Sequence, residues 1–188
     1  MTWPAPVTLT GQHVKLVPLS NAHATGLSAA AEKLGDLWYT YIPSAAGMQA
    51  EIERRLGTAD MTPFTILAPD STPVGMTTYM NCDAKNKRVE IGSTWISPTV
   101  QKSPLNTEAK LLLLTHAFEV LDCIAVEFRT HRLNQQSRRA IERLGAQLDG
   151  ILRSHVVSPN GTIRDTAVYS ITAPEWPVTK THLQAKLA

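Results

Sequence analysis

The segment from residue 89 to residue 130 restricts the fold more than any other part of this chain. "VEIGSTWI" (89–96) alternates apolar and small or polar side chains as a strand does, and "SPTVQKS" connects it to a helical stretch of about residues 104–121. "IAVEFRT" (124–130) is again strand-like. Two strands joined through a long helix have to run parallel, and the crossover has to be right-handed. The helix opens on Ser103-Pro104, where Ser accepts from first-turn amides and Pro suits the first helical position. That opening is either an ordinary cap or a helix end whose amides and positive dipole await an anion.

Other elements group around this unit. "HVKLVPL" (13–19) predicts a strand and "NAHATGLSAAAEKL" (21–34) a helix. The aromatic loop "DLWYTYIPSAAG" precedes a short helix, "MQAEIERRL" (48–56). "PFTILAP" and "TPVGMTTYM" predict two strands joined by the turn "PDST". Downstream, "NQQSRRAIERLG" predicts a helix, "GILRSHVVSPNGTIRDTAVYSIT" two strands about an Asn-Gly hairpin turn, and the tail a short terminal helix. The expectation is an α/β (α+β) architecture in one domain spanning 1–188: a mixed sheet with helices on its faces.

Composition narrows the function classes. At 188 residues with 43% apolar and 18% charged side chains, the chain suits a soluble globular domain. Its longest strongly apolar run, Leu111–Leu114, is far too short to span a membrane, and no secretory signal opens the chain. Cys82 and Cys123 have no metal-like or framework spacing, and we read them as reduced thiols in a cytoplasmic protein. A net charge of +2 does not call for a nucleic-acid partner. "RTHRLNQQSRRAIER" is strongly basic, but a strand precedes its helix where a DNA-reading motif needs another helix. The six histidines are scattered, and no metal site is expected.

In open α/β sheets, ligands collect beyond the carboxyl ends of parallel strands, which here means residues 96–106 and 130–137. Gly92 inside the first parallel strand marks a bulge or a close backbone approach. A bulge there would part the two strands and leave backbone groups for an extended, amide-bearing ligand. The start of the following helix would offer amides to phosphates.

"VEIGSTWISPTVQKSPLNTEAKLLLLTHAFE", followed by "LNQQSRRAIERLGA" and "RDTAVYSI", resembles the GNAT acyltransferase superfamily, in its RimJ/RimL-like ribosomal-protein N-terminal acetyltransferase branch. The resemblance implies a mostly antiparallel sheet with a central splayed parallel pair. It also implies acetyl-coenzyme A as donor and an amine, on a protein N-terminus or a small molecule, as acceptor. It assigns the backbone of Trp95, Ile96 and Ser97 to the pantetheine and acetyl carbonyl. Gln101, Lys102, Ser103, Leu105, Asn106 and Thr107 would form the pyrophosphate turn, Asn134 would meet the pantetheine arm, Ser137 the sulfur, and Arg138 or Arg139 a nucleotide phosphate. Two departures stand out: Pro104 and Asn106 replace the glycines of the usual loop, and Ile141 stands where many relatives carry a tyrosine acid. Relatives also suggest a homodimer.

Acetyl transfer to an amine needs a neutral amine, donors for the oxyanion and a proton for the leaving thiolate. Glu90 is the candidate base, through water, and Ser137 the candidate donor to sulfur. Trp38, Tyr39 and Tyr41 are candidates for the acceptor pocket. Each has a plainer reading: a salt-bridged strand residue for Glu90, a helix-surface residue for Ser137, a cap for Asn134, loop packing for the aromatics. The competing function is an acyl-coenzyme A-binding module that has lost catalysis.

Overall fold

The computed structural model describes residues 3–32, 34, 35 and 38–188. Eight strands form one sheet: β1 (Leu9–Thr10), β2 (Lys15–Pro18), β3 (Thr62–Leu67), β4 (Pro73–Asp83), β5 (Arg88–Ile96), β6 (Ala125–His131), β7 (Gln147–Val157) and β8 (Ile163–Thr172). Their order is β1-β2-β3-β4-β5-β6-β8-β7, antiparallel throughout except for β5–β6. Five α-helices accompany them: α1 (Ala24–Ala31), α2 (Met48–Leu56), α3 (Pro104–Thr115), α4 (Gln135–Glu142) and α5 (Trp176–Ala185). The mixed, mostly antiparallel sheet with one parallel pair is the architecture the sequence implies. No described helix is long and apolar enough to cross a membrane.

The boundaries depart from expectation in instructive places. The helix expected over 21–34 is a 3₁₀ turn (Asn21–His23) followed by α1, and Lys33 lies outside the described residues. The helix expected to reach residue 121 is α-helical only to Thr115; a π-helical turn, His116–Val120, carries it on to Asp122, where the chain takes a φ of 55°. The two-residue strand β1 was not legible, because a pair that short carries no periodicity. In the turn of the last hairpin only Gly161 takes a left-handed φ, so the turn is not the two-residue Asn-Gly type; Ser158 and Thr162 close it through a 2.8 Å backbone bond.

Two apolar clusters occupy the two faces. On one, Leu113, Leu114 and Ala117 of the α3 segment pack with Val89, Ile91, Val126, Phe128 and Tyr169 of the sheet, and with Leu183 of α5. On the other, Leu27 of α1 and Ile52 of α2 pack with Met76 and Trp95. Each fully buried aliphatic of this kind stabilises the fold by about 1.5–3 kcal/mol. The α2 side is also anchored by charge: Arg55, 2% exposed, pairs with Glu51 at 2.6 Å and donates to Thr78 Oγ1 at 3.0 Å. The α3 side is tied to the N-terminal loop by Glu108, which accepts from the amides of Gln12 (2.9 Å) and His13 (2.5 Å).

Gly75 fixes how closely β4 lies against the end of β5. A Cβ there would fall 2.2 Å from the Trp95 carbonyl oxygen, a backbone atom that cannot yield without moving the strand. Gly75→Ala should therefore cost about 1–3 kcal/mol, read as a lower urea midpoint with unchanged slope; an unchanged midpoint would show that β5 is freer than this packing implies.

Candidate active site

β5 and β6 are neighbours over three registered pairs only: Arg88 with Ala125, Val89 with Val126, Glu90 with Glu127. Beyond them β5 runs on to Ile96 and β6 to His131 without pairing to each other. The cause lies on the β4 side of β5. Between the pairs Met76–Trp95 and Thr78–Gly92, β4 advances two residues and β5 three (78 − 76 against 95 − 92), so β5 carries one extra residue. Ser93 sits in that bulge with a φ of 48°. A bulge bends its strand and strengthens the local twist, which turns the end of β5 away from β6. Gly92 therefore marks a bulge, as its place in the strand suggests.

Backbone groups line the resulting gap selectively. The Ser97 amide donates to the Val74 carbonyl at 2.8 Å, so Ser97 faces β4. Strand alternation turns the backbone of Ile96 the other way, toward the gap. Its carbonyl already accepts from Gln101 Nε2 at 3.0 Å, which leaves its amide. Of Trp95, Ile96 and Ser97, only Ile96 thus offers a backbone donor there. The Trp95 side chain packs against α1 and α2, with a buried Nε1 that no described atom accepts from.

The turn into α3 is part cap and part open site. Ser103 Oγ donates to the Val100 carbonyl (2.7 Å) and accepts from the Leu105 amide only at 3.4 Å, the long end of a hydrogen bond. Lys102 holds a left-handed φ of 60°, a conformation that costs a residue with a Cβ roughly 1–2 kcal/mol. Asn106 Oδ1 is buried with no described partner, an orphan that costs about 1–3 kcal/mol while unsatisfied. A ligand with hydroxyl or amide donors would satisfy it. The open strand gap and the positive helix end fit an extended ligand with phosphates at one end, and the orphan would meet a donor elsewhere on it; Thr107 lies in the same first turn.

Across the gap, β6 delivers the start of α4. Asn134 Oδ1 caps α4 by accepting from the Ser137 amide at 3.0 Å, and no described hydrogen bond uses Asn134 Nδ2. Capping and ligand contact are thus compatible in one side chain. The Ser137 hydroxyl is half-buried and without a described hydrogen bond. Arg138, by contrast, is committed inward: its Nε donates to Tyr169 Oη at 2.8 Å, and Tyr169 Oη donates to Glu142 Oε1 at 2.7 Å. Exposed Arg139, with no such bond, is the better placed of the two arginines for a phosphate.

Glu90 stands where β5 and β6 part. Val89 and Ile91 face α3, so alternation sends Glu90 to the opposite face. It is 5% exposed, accepts from Asn81 Nδ2 at 2.7 Å and lies 3.5 Å from Arg129 Nε. Burial pushes its carboxyl above the ordinary glutamate range, against the downward pull of Asn81 and Arg129. Gly92 makes room for it: a Cβ there would sit 2.9 Å from Glu90 Oε1 and 2.7 Å from Met80 Sδ. Glu90 lines a cavity of about 190 Å³ with Asn81, Arg88, Glu127 and Arg129.

On the same face, at the carboxyl end of β6, lies His131, which spacing alone did not single out. Its ring is 5.7 Å from Trp38 and 5.8 Å from Tyr39, and its Nδ1 accepts from the Leu133 amide at 3.0 Å. That bond fixes a neutral ring with its proton on Nε2, and burial, aided by Arg164 and Arg132, lowers its pKa. The loop aromatics Trp38 and Tyr39 are therefore brought to the mouth of the gap. Tyr41 is exposed and associates with Glu51 of α2 instead. Leu37 and Asp36, in the same loop, lie outside the described residues. No cluster of metal-ligating side chains occurs among the described residues.

A sheet opened by a bulge, with a helix end facing the opening, is the architecture of acyl-coenzyme A-dependent acyltransferases of the GNAT type. Residues 13–147 match the family model "Acetyltransferase (GNAT) domain", and the chain belongs to that family. It is 33% identical over 107 residues to the Bacillus subtilis (strain 168) protein named "Putative ribosomal N-acetyltransferase YdaF", a match that spans 57% of each chain. A solved GCN5-related N-acetyltransferase from Brucella melitensis superposes with a TM-score of 0.89 at 32% identity, over 98% of this chain and 87% of that one. Mycobacterium smegmatis RimJ, solved in complex with CoA-disulfide, shares the fold with a TM-score of 0.79 at 21% identity, over 99% and 97%.

The upward shift of Glu90 has a consequence for stability. A carboxyl whose pKa is higher folded than unfolded favours the folded state while protonated, and loses that contribution as pH rises through its folded pKa. Glu90→Gln should therefore unfold at a higher urea concentration than wild type at neutral pH. The advantage should vanish below about pH 4, where the unfolded carboxyl is itself protonated. Equal midpoints at neutral pH would mean that burial does not disfavour this carboxylate.

Proposed function

We infer that this chain is an acetyl-coenzyme A-dependent N-acetyltransferase, one domain over residues 1–188, that moves an acetyl group directly to a primary amine in a ternary complex. The observation that carries the reading is the gap between β5 and β6 beyond Glu90, which ends at the first turn of α3 with its free amides. In this reading the Ile96 amide and Asn134 Nδ2 hold the pantetheine amides. Lys102, Ser103, Leu105, Asn106 and Thr107 receive the diphosphate, and Arg139 serves the nucleotide end. The bound donor supplies an activated acyl carbonyl; the chain supplies alignment, exclusion of water and a route for the amine proton.

Glu90 takes that proton, directly or through one water. An α-amine titrates near ~8 and an alkylammonium near ~10, so a peptide N-terminus surrenders its proton more cheaply than a lysine. A glutamate raised above its usual range is a correspondingly better match to that task. The Trp38–Tyr39–His131 cluster lies on the face of Glu90 and is where the acceptor enters; the fixed Nε2–H of His131 would donate to a carbonyl of the acceptor. A ribosomal-protein N-terminus is a reasonable first acceptor, given the name of the Bacillus subtilis relative.

Calorimetric titration with acetyl-coenzyme A, followed by thiol release over a panel of peptide N-termini and small amines, tests the reading. Asn134→Ala should weaken cofactor binding by about 1–2 kcal/mol, since it removes both a cap and a donor; an unchanged dissociation constant would remove Asn134 from the site. Glu90→Gln should lower kcat by roughly 10²-fold or more while binding survives. Binding without turnover on any amine would favour the module that has lost catalysis, and absence of binding would end both readings.

A further inference from the structure

One buried ionisable group has no part in the site as built so far. Lys110 of α3 is 6% exposed, and no described carboxylate forms an ion pair with it. Its Nζ donates to Thr94 Oγ1 at 2.8 Å and to Thr77 Oγ1 at 3.3 Å, and those two hydroxyls are themselves 2.8 Å apart. A lone ammonium removed from water is costly, and proteins ordinarily relieve the cost by pairing it or by neutralising it. Here no described carboxylate pairs it. Thr94, however, lies in the bulged stretch of β5 and is exposed, so one hydroxyl links a buried amine to the surface beside the strand's bend.

We propose that Thr94, backed by Lys110, delivers the proton that the departing sulfur requires when a thioester is cleaved in the gap. This rests on the acetyltransferase reading. It also answers a lack in that reading: the Ser137 hydroxyl has no described proton source behind it. In this proposal Thr94 is the catalytic residue, because of the three bonded groups it alone is exposed, and Lys110 is a positioning residue acting through it. As the carbon–sulfur bond breaks, its electron pair stays on sulfur. Thr94 Oγ1 passes its proton to the sulfur and takes one from Lys110 Nζ, which is left as a neutral amine. Lys110 regains a proton from solvent before the next turnover, while the proton shed by the acceptor leaves through Glu90 on the opposite face.

The electrostatics suit that task. Burial brings Lys110 down to about 7, so it changes charge near neutrality. A thiol titrates near ~8.5, which makes transfer from such an ammonium to a thiolate favourable on the order of 30-fold. Neighbouring charged and titratable groups leave Lys110 to itself. On α3, Glu108 is held by the Gln12 and His13 amides; on β4, Tyr79 donates to the Leu113 carbonyl and lies beside His116. On β5, Glu90 faces away from α3 and is held by Asn81. Burial is the influence that sets Lys110.

The test uses full-length protein with acetyl-coenzyme A and a peptide bearing a free α-amine. Wild type should lose kcat/KM on an alkaline limb with a midpoint near 7. Lys110→Met and Thr94→Val should flatten that limb and lower kcat by roughly 10–100-fold, with coenzyme A affinity within about twofold of wild type by the same reading. Thr94→Ser should restore both limb and rate. Lys110→Met removes a buried charge and should not lower the unfolding midpoint, which separates the effect from misfolding. A second readout needs no turnover: in ¹³C-lysine NMR the Lys110 side chain should titrate near neutrality. Added coenzyme A should raise that midpoint in wild type but not in Thr94→Val. An unchanged pH profile in both variants, or a Lys110 titration indifferent to coenzyme A, overturns the relay even if the acetyltransferase activity stands. Absence of turnover on every amine overturns the activity instead, and the NMR titration then decides the relay alone.

Discussion

The extra residue in β5 between Gly92 and Trp95 is the constraint on which the rest of the molecule's chemistry depends. With an unbulged β5, its pairing with β6 would continue past Glu90 and the centre of the sheet would be solid. With the bulge, the pair parts after three registered contacts, and unpaired backbone is left inside the fold. Unpaired polar backbone away from water is expensive, so such a gap persists only where the surrounding structure enforces it. Here β4 on one flank and β8 on the other hold the two strands along their remaining lengths.

The same opening sorts functional groups by face. Alternation along β5 and β6 sends Glu90, Arg129 and His131 to the side of α1, α2 and the aromatic loop. Thr94 goes to the side of α3, where it meets Lys110. Among the groups that burial shifts, Glu90 on one face is a carboxyl raised and Lys110 on the other an ammonium lowered. Separating an acid and a base by the thickness of a sheet keeps them from neutralising each other as an ion pair. In the proposed mechanism each serves one proton of the transfer.

The turn into α3 departs from the loop pattern that the resemblance implies. Pro104 offers no amide and Lys102 bears the left-handed backbone at the turn, yet Ser103 still caps α3 and Asn106 keeps an unsatisfied oxygen at its first turn. The turn therefore presents the amides of Leu105 and Asn106, the first of them only weakly held by Ser103 Oγ. Gln101, expected at the phosphates, instead ties down the Ile96 carbonyl, which stiffens the bend where β5 ends. Arg138 is absorbed into a structural chain with Tyr169 and Glu142, a role that only the meeting of α4 with β8 creates.

The order of elements, the parallel crossover, the bulge at Gly92 and the identity of the helix that faces the gap were legible in the sequence. They follow from short-range rules: side-chain period, capping chemistry and the intolerance of a strand for glycine. The family resemblance then assigned Asn134 and Asn106 to the cofactor, and the needs of amine acylation suggested Glu90. What could not be read was which side chains meet across the sheet. Lys110 sits in a run that reads as core, and His131 in a basic stretch that reads as surface; each acquires its character from residues 16 and 92 positions away, Thr94 and Tyr39 respectively. Periodicity assigns a residue to a face, but burial of a charge, and hence its pKa, is decided by what the rest of the chain packs over that face.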